Sequence, residues 1–461
     1  MKITLENIGQ IKKAEIDLSK DLIVLCGGNN TGKTYAAYTV YGLFKYLQIS
    51  YKRLDLKSVN EKIKSLLDIG NVEFDLLKIL QIEEKYIIET IKTEYIDFLS
   101  TVFATSKDFF NNAKIDIKID VESIIKDIFA SEILSKTTFG GKIIVTSTKE
   151  SQNPLLNITI INRDVITNNI LEYVSKHIVS DVISSIIQPI FRNIIIEPAE
   201  RPSTIIFSQE LLAGRFKMID DALSFDTYKN ATDYIEKNAT KYSLPINDSL
   251  LFVAKLPMLK NETSEFAYLA DKIEKTILKG KMKISQYGEA QFNPEKTKLN
   301  LDINLTASGV KSLASIVFYL RHLAKVGDFY IIDEPELNLH PDNQRKIARI
   351  IAQMVNAGIK VMISTHSNYI IRELNNLIML NVSDKGNKKE AAKLLKKYGY
   401  QKEEILDCNK VGAYLFTSDV ANVVVTNLEV TNTGFEIATI DKETVELNES
   451  SADIFFTLHN T

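Results

Sequence analysis

Tryptophan is absent from this 461-residue chain, cysteine occurs twice and histidine five times. Two cysteines, Cys26 and Cys408, cannot build a disulfide framework, and a reducing, cytoplasmic setting is expected. Five histidines, none in metal-ligand spacing, argue against a zinc or HNH nuclease centre. No Asp-x-Asp pair occurs anywhere, which argues against a self-contained Toprim metal site. The start, MKITLENIGQIKKAEIDL, lacks the apolar core of a signal peptide. No run approaches the roughly 18 uncharged apolar residues of a membrane span, so a soluble protein without a membrane partner is expected. Net charge is only −3, so any contact with nucleic acid needs a local basic patch. Internal repeats and low-complexity tracts are also missing.

What is present is an ordinary globular composition, 45% apolar and 25% charged, long enough for an α/β head with appendages. Residues 2–8, 13–18 and 21–26 read as strands, and a helix is expected from Lys33. Residues 51–192 read as a mostly helical insertion carrying a hairpin, GGKIIVTSTKE with PLLNITIINRD. Residues 193–385 resume the head, and 386–461 read as a small α+β partner-binding module. That module opens on the basic helix NKKEAAKLLKKYGY and continues through strands AYLFTS, VANVVVTNLEVT and FEIATID to a last helix.

Three stretches carry chemistry. GGNNTGKT, residues 27–34, lies between an apolar strand and a helix and satisfies G-x-x-x-x-G-K-[ST]. Gly27, Asn29, Asn30 and Gly32 let the backbone wrap phosphate oxygens, Lys33 reaches the β- and γ-phosphates, and the Thr34 hydroxyl is placed for Mg²⁺. In DFYIIDEPELNLHP the apolar run delivers Asp333 and Glu334 to a strand's carboxyl end, where ligands bind in open α/β sheets. Asp333 would hold Mg²⁺ and Glu334 would orient or deprotonate the attacking water, unless the acids merely precede the helix starting at Pro341. KVMISTHS puts His366 just past a neighbouring strand, able to donate to a phosphate oxygen, or to face solvent as a loop histidine.

LTASGVKSLASIVFYLRHLAKV adds a helix start at Ser308 and Gly309. Its free amides form a second anion site, or else Ser308 is an ordinary cap. One nucleotide does not need two such sites in one chain. Two facing copies do, the loop of one holding the triphosphate and the Ser308 helix start of the other closing over it.

The set GGNNTGKT, LTASGVK, IIDEPELNLHP and STHS resembles the Walker A loop, signature, Walker B with D-loop, and switch histidine of ABC-type ATPase heads in the RecF/SMC and overcoming-lysogenisation-defect (OLD) groups, within the wider AAA class. The resemblance implies an α/β ABC-type P-loop ATPase head with ATP and Mg²⁺ as cofactors. Lys33, Thr34, Asp333, Glu334 and His366 would act in one copy, with Ser308, Gly309 and Lys311 acting across a homodimer or higher homo-oligomer. His340 stands where transporter ATPases carry Asp, and the signature lacks their Ser-Gly-Gly-Gln. The Q-loop glutamine is not assigned; Gln188 and Gln209 are candidates.

IIEPAERPSTIIF resembles a segment of stand-alone ATPases from phage-defence operons, such as the larger subunits of Septu and of the phage anti-restriction-induced system (PARIS). Arg201 there would touch nucleotide or another copy, or form a solvated ion pair with Glu200. The resemblance implies a slow ATPase acting as sensor or scaffold, controlling a separately encoded effector, a Toprim or HNH nuclease, in antiviral defence. A phage trigger protein or nucleic acid would be a further partner. The alternative is a compact RecF-like DNA-repair clamp. Long SMC-like arms are excluded, because the interval from Lys33 to Asp333 has no room for them.

Overall fold

The computed structural model describes residues 1–50, 56–162, 168–187, 193–223, 242–382, 385–419 and 422–459. The chain forms two compact units, one from Met1–Ile3, Gly42–Leu99 and Lys114–Ile194, the other from Thr4–Tyr41, Ser100–Ala113 and Ile195–Thr461.

The second unit takes in β1 (Lys2–Ile8) from Thr4 onward, β2 (Ile11–Asp17), β3 (Leu22–Gly27) and the helix Lys33–Ser50 as far as Tyr41. Every residue of β3 is buried, as expected for an apolar run covered on both faces.

The first unit contains the helices Lys57–Ile69, Leu76–Phe103 as far as Leu99, Val121–Ala130 and Asn168–Ile187. Its strands are β4 (Asn71–Asp75), β5 (Lys114–Lys118), β6 (Ile133–Phe139), β7 (Lys142–Lys149) and β8 (Leu155–Ile160). The hairpin read from the sequence is β7 with β8, and it is the middle of an antiparallel sheet in the order β4-β8-β7-β6. An alternating pattern shows that a strand has one covered face, but not which distant segment extends its edge. For that reason β4 is not legible from the sequence as the partner of β8, with which it pairs from Asn71↔Thr159 to Asp75↔Leu155.

The second unit resumes with β9 (Ile194–Glu197) and the helices Arg201–Leu223, Leu244–Leu259 and Ala267–Ile273. A small antiparallel sheet follows, β10 (Gly280–Ile284), β11 (Ala290–Pro294) and β12 (Leu301–Asp302). After the helix Ser308–His322 come β13 (Phe329–Asp333), the helix Pro341–Asn356, β14 (Lys360–Thr365) and the helix Asn368–Met379. Pro341 occupies the first helical turn, where its missing N–H is not needed, and His340 caps that helix through Nδ1, accepting from the Asp342 amide at 3.3 Å. Ile347, Ile350, Ile351, Met354 and Val355 are all buried, the apolar face expected from their spacing.

The C-terminal stretch contains the helix Lys385–Tyr398, β15 (Val411–Asp419), β16 (Asn422–Leu428) and the helix Ala438–His459. It is α+β as expected, yet it is not a separate module. The unit's main sheet runs β1-β2-β16-β15-β3-β14-β13-β9, so β15 and β16 stand in its middle. β15 pairs parallel with β3 from Val411↔Leu22 to Phe416↔Gly27. The expected boundary at residue 386 therefore cuts through one hydrophobic core, to which Leu22, Val24, Val411 and Ala413 all belong. FEIATID forms no strand: Phe435 and Ile437 are buried, the Phe435 amide donates to Asn375, and helix follows from Ala438. The architecture is the α/β ABC-type P-loop head that the motifs imply.

Candidate nucleotide site

β3, β14 and β13 are parallel neighbours, with Thr365 beside Cys26 and Asp333 beside Ser364. Their carboxyl ends therefore come together, and each ends in one of the sequence motifs. The phosphate loop leaves β3 at Gly27, whose φ is +141° and whose hypothetical Cβ would sit 2.2 Å from the Phe416 carbonyl oxygen. Only glycine fits where β15 passes so closely. Gly32, with φ +82°, would meet the Ile11 side chain at 2.9 Å. Asn30 takes φ +59°, a conformation asparagine tolerates better than most residues, and Asn29 and Asn30 are both exposed.

Lys33 is buried and curls over its own loop, donating to the carbonyls of Gly27 at 3.0 Å and Gly28 at 2.6 Å. Burial lowers its pKa, opposed by the negative field of Glu334, Asp333 and Glu336. The Thr34 hydroxyl donates to Asp333 Oδ2 at 3.0 Å. Ser364 donates to the other Asp333 oxygen, Oδ1. Burial raises the Asp333 pKa, and these two hydroxyls hold it down. A hydroxyl and a carboxylate facing each other at a helix start form the donor set that Mg²⁺ uses when phosphate and water supply its remaining oxygens. The residues present fit that ion, and the glycine-shaped loop fits a phosphate chain.

Glu334 leaves the strand with φ +52°, its amide donating to the Ser364 carbonyl at 3.1 Å. His366 Nδ1 lies 3.7 Å from Glu334 Oε1 and 3.4 Å from Glu336 Oε1. With Nδ1 turned to the carboxylates, Nε2 is the nitrogen left to address a phosphate. Sequence reasoning missed Glu336: its Oε1 accepts from Thr365 Oγ1 at 2.7 Å and from the His366 amide at 2.8 Å. Its Oε2 is buried without a hydrogen-bond partner among the described residues. The third acid in DEPE was the available signal, but its reach onto the next strand depends on register.

The helix from Ser308 has no side-chain cap, because the N-cap position falls on Ala307. Ser308 is exposed, and Gly309 lies against the loop after Glu334, a hypothetical Cβ standing 3.2 Å from the Asn338 carbonyl oxygen. Lys311 is spent locally, its Nζ donating to the Asn304 carbonyl at 3.0 Å.

Arg201 corrects the sequence reading in both its forms. It is completely buried, so it reaches neither solvent nor another copy. Its guanidinium donates to backbone carbonyls of Ser312 (2.9 Å), Pro198 (3.1 Å), Asp333 (2.6 Å) and Glu334 (2.6 Å). Glu200 instead accepts from the Tyr38 hydroxyl at 3.3 Å. Of the glutamine candidates, Gln209 lines a cleft of about 420 Å³ with Val253, Pro257 and Ile303, whose lining includes neither the phosphate loop nor Asp333, Glu334 or His366; Gln188 lies outside the described residues.

A family model described as AAA ATPase domain matches residues 1–371. No curated protein matches the chain. Solved structures with similarity include an Smc head bound to the C-winged helix domain of ScpA, 12% identical over 93% of this chain and 97% of that one, at a TM-score of 0.35. Another is the SMC head domain from Thermotoga maritima, 10% identical over 93% and 98%, at 0.31. A third is an Smc head with an extended coiled coil bound to the C-terminal domain of ScpA derived from Pyrococcus furiosus, 11% identical over 98% of both chains, at 0.33. At such scores these likenesses carry no weight for function.

Proposed function

The chain belongs to the AAA ATPase domain family, and on that premise we propose that it binds and slowly hydrolyses Mg²⁺-ATP at a site completed by a second copy. Lys33 and the loop amides hold the phosphates, Thr34 and Asp333 hold Mg²⁺, Glu334 serves the attacking water, and His366 Nε2 addresses the γ-phosphate. The ion supplies charge neutralisation at the phosphates. The observation that carries the shared site is the helix start at Ser308 and Gly309, which has no side-chain cap and leaves Ser308 exposed, the kind of end that binds anions.

On this reading the switch is read out by a separately encoded effector, a Toprim or HNH nuclease of an antiphage system. Support comes from the resemblance of IIEPAERPSTIIF to defence ATPases and from the lack of an Asp-x-Asp pair in the sequence. The helix Ala438–His459 exposes Leu447, Ile454, Phe456 and Leu458, a surface suited to a partner's apolar groove.

Sedimentation of Glu334→Gln with and without ATP tests the shared site: the variant is expected to bind ATP and accumulate as a dimer or larger assembly. A monomer under both conditions overturns the shared site. Mixing Lys33→Ala with Ser308→Arg is expected to restore one working site per heterodimer. Recovery from the native host with recombination proteins, together with ATP-dependent binding to gapped DNA, would replace the defence reading by the repair clamp.

A further inference from the structure

We propose that Glu197 and Arg201 are positioning residues that brace the Ser308 helix against the strand bearing Asp333 and Glu334, so that engagement of one ATP site is transmitted to hydrolysis at the other. The proposal rests on the shared-site reading above. In that arrangement the Ser308 start acts on the partner's nucleotide, while Glu334 acts on the nucleotide of its own chain.

The two residues each grip both elements. On the helix, Glu197 Oε2 accepts from Ser315 Oγ at 2.6 Å, and one turn earlier Arg201 Nε donates to the Ser312 carbonyl at 2.9 Å. On β13 and the residue just past it, Glu197 Oε1 accepts from the Tyr330 hydroxyl at 3.2 Å, and Arg201 donates at 2.6 Å to each of the carbonyls of Asp333 and Glu334. Glu197, Arg201, Ser312 and Ser315 are all buried.

Attachment alone does not require these groups. Tyr319 of the helix already stacks on Tyr330 with ring centroids 4.1 Å apart, and its hydroxyl donates to Asp328 at 2.9 Å. Burying a guanidinium is unfavourable unless its donors are satisfied, and here two of the four bonds, those to Asp333 and Glu334, are directed at one turn. They take the carbonyls on either side of the point where the chain enters the left-handed region at Glu334, φ +52°. Side-chain direction at Glu334 follows from that backbone conformation, so a small displacement of the helix would re-aim the carboxylate. Asn338 adds a third tie, donating to Ser312 Oγ at 2.9 Å.

Arg201→Lys keeps a cation but replaces a planar fork by a single ammonium that cannot serve four carbonyls. Expected results are ATP affinity within about threefold of wild type, kcat lower by roughly tenfold or more, and a Hill coefficient for hydrolysis falling toward that of independent sites. Ser315→Ala, which removes one hydroxyl, is expected to shift the same two quantities less, and it decides the matter if Arg201→Lys does not fold. In mixed dimers with one working site, Arg201→Lys should slow hydrolysis both when it shares a chain with the active Glu334 and when it shares one with the active Ser308.

Loss only beside the active Glu334 overturns the coupling. Unchanged kcat and Hill coefficient in folded variants, or activity fully recovered on cooling, overturns the brace and leaves a merely structural contact. Wild type that hydrolyses ATP without associating instead fails the shared site, and with it the coupling; the kcat of the variants then judges the hold on Glu334 by itself.

Discussion

Two helix starts in this molecule, at Lys33 and at Ser308, are built differently. At Lys33 the amides are framed by glycine-dependent turns, an internal lysine bound to the loop carbonyls and a hydroxyl in contact with Asp333. At Ser308 the start is exposed, uncapped, and its nearby lysine is engaged with Asn304. Both ends carry about half a positive charge from the helix dipole, yet only the first is enclosed by loop, lysine and carboxylate on several sides. The difference is what the proposed shared site requires: the first start as a site, the second as half of one.

The largest effect expected from breaking the first start comes from removing its wall. Truncation before Asn387 deletes β15, the partner of β3 and the strand whose Phe416 carbonyl abuts Gly27. The product should fail to fold, whereas truncation after Ile437, which removes the helix Ala438–His459 with its exposed stretch from Glu446 to Leu458, should spare nucleotide binding. Circular dichroism and nucleotide titration of the two truncations check this.

Next in size is Glu334→Gln, expected to lower kcat by about 10²–10⁴ while binding persists, as for loss of a general base. Lys33→Ala should weaken ATP binding on the order of 100-fold, the worth of a buried charge-assisted contact. Calorimetric titration and steady-state hydrolysis separate the two variants. Ser308→Arg sharpens the contrast between the starts: affinity of the isolated chain should be unchanged, and only ATP-driven association should be lost.

Smaller, and confined to the first start, is Gly27→Ala. Its methyl group must displace the Phe416 carbonyl, at a cost of about 1–3 kcal/mol of stability, readable by urea unfolding.

The last prediction concerns pH. Burial pushes the Glu197 carboxyl up to about 7 from 4.5, against the Ser315 hydroxyl bond and the Arg201 field that lower it. The folded state thus holds this proton more tightly than the unfolded chain. Its contribution to stability is full below 4.5 and is lost as pH rises through about 7, an effect of at most about 3 kcal/mol. Glu197→Gln should flatten the stability curve across that window, as unfolding at pH values on either side would show.

Much of the head was legible because its signals are local. Apolar runs ending in GGNNTGKT, DEPE and STHS give strands whose tips carry polar groups, and the periodicity of the Pro341 helix gave its buried face residue by residue. What was not legible depends on partners distant in the chain. Glu336 was missed because it acts across the β13–β14 register onto Thr365 and His366. Arg201 was misread because an arginine after a strand has the same local sequence whether it faces water or four buried carbonyls.

The sequence by itself determined the identity of the phosphate loop, since lysine, threonine and glycines at those offsets meet requirements set within eight residues, 27–34. It also determined the strand and helix alternation that carries Asp333, Glu334 and His366. Only the tertiary structure decided that β15 and β16 complete the sheet beside β3, because strand pairing joins segments nearly 400 residues apart, as Leu22 and Val411 are. It likewise decided the place of Glu197 and Arg201, because the balance between desolvating a charge and satisfying it is struck by backbone groups that no local pattern names.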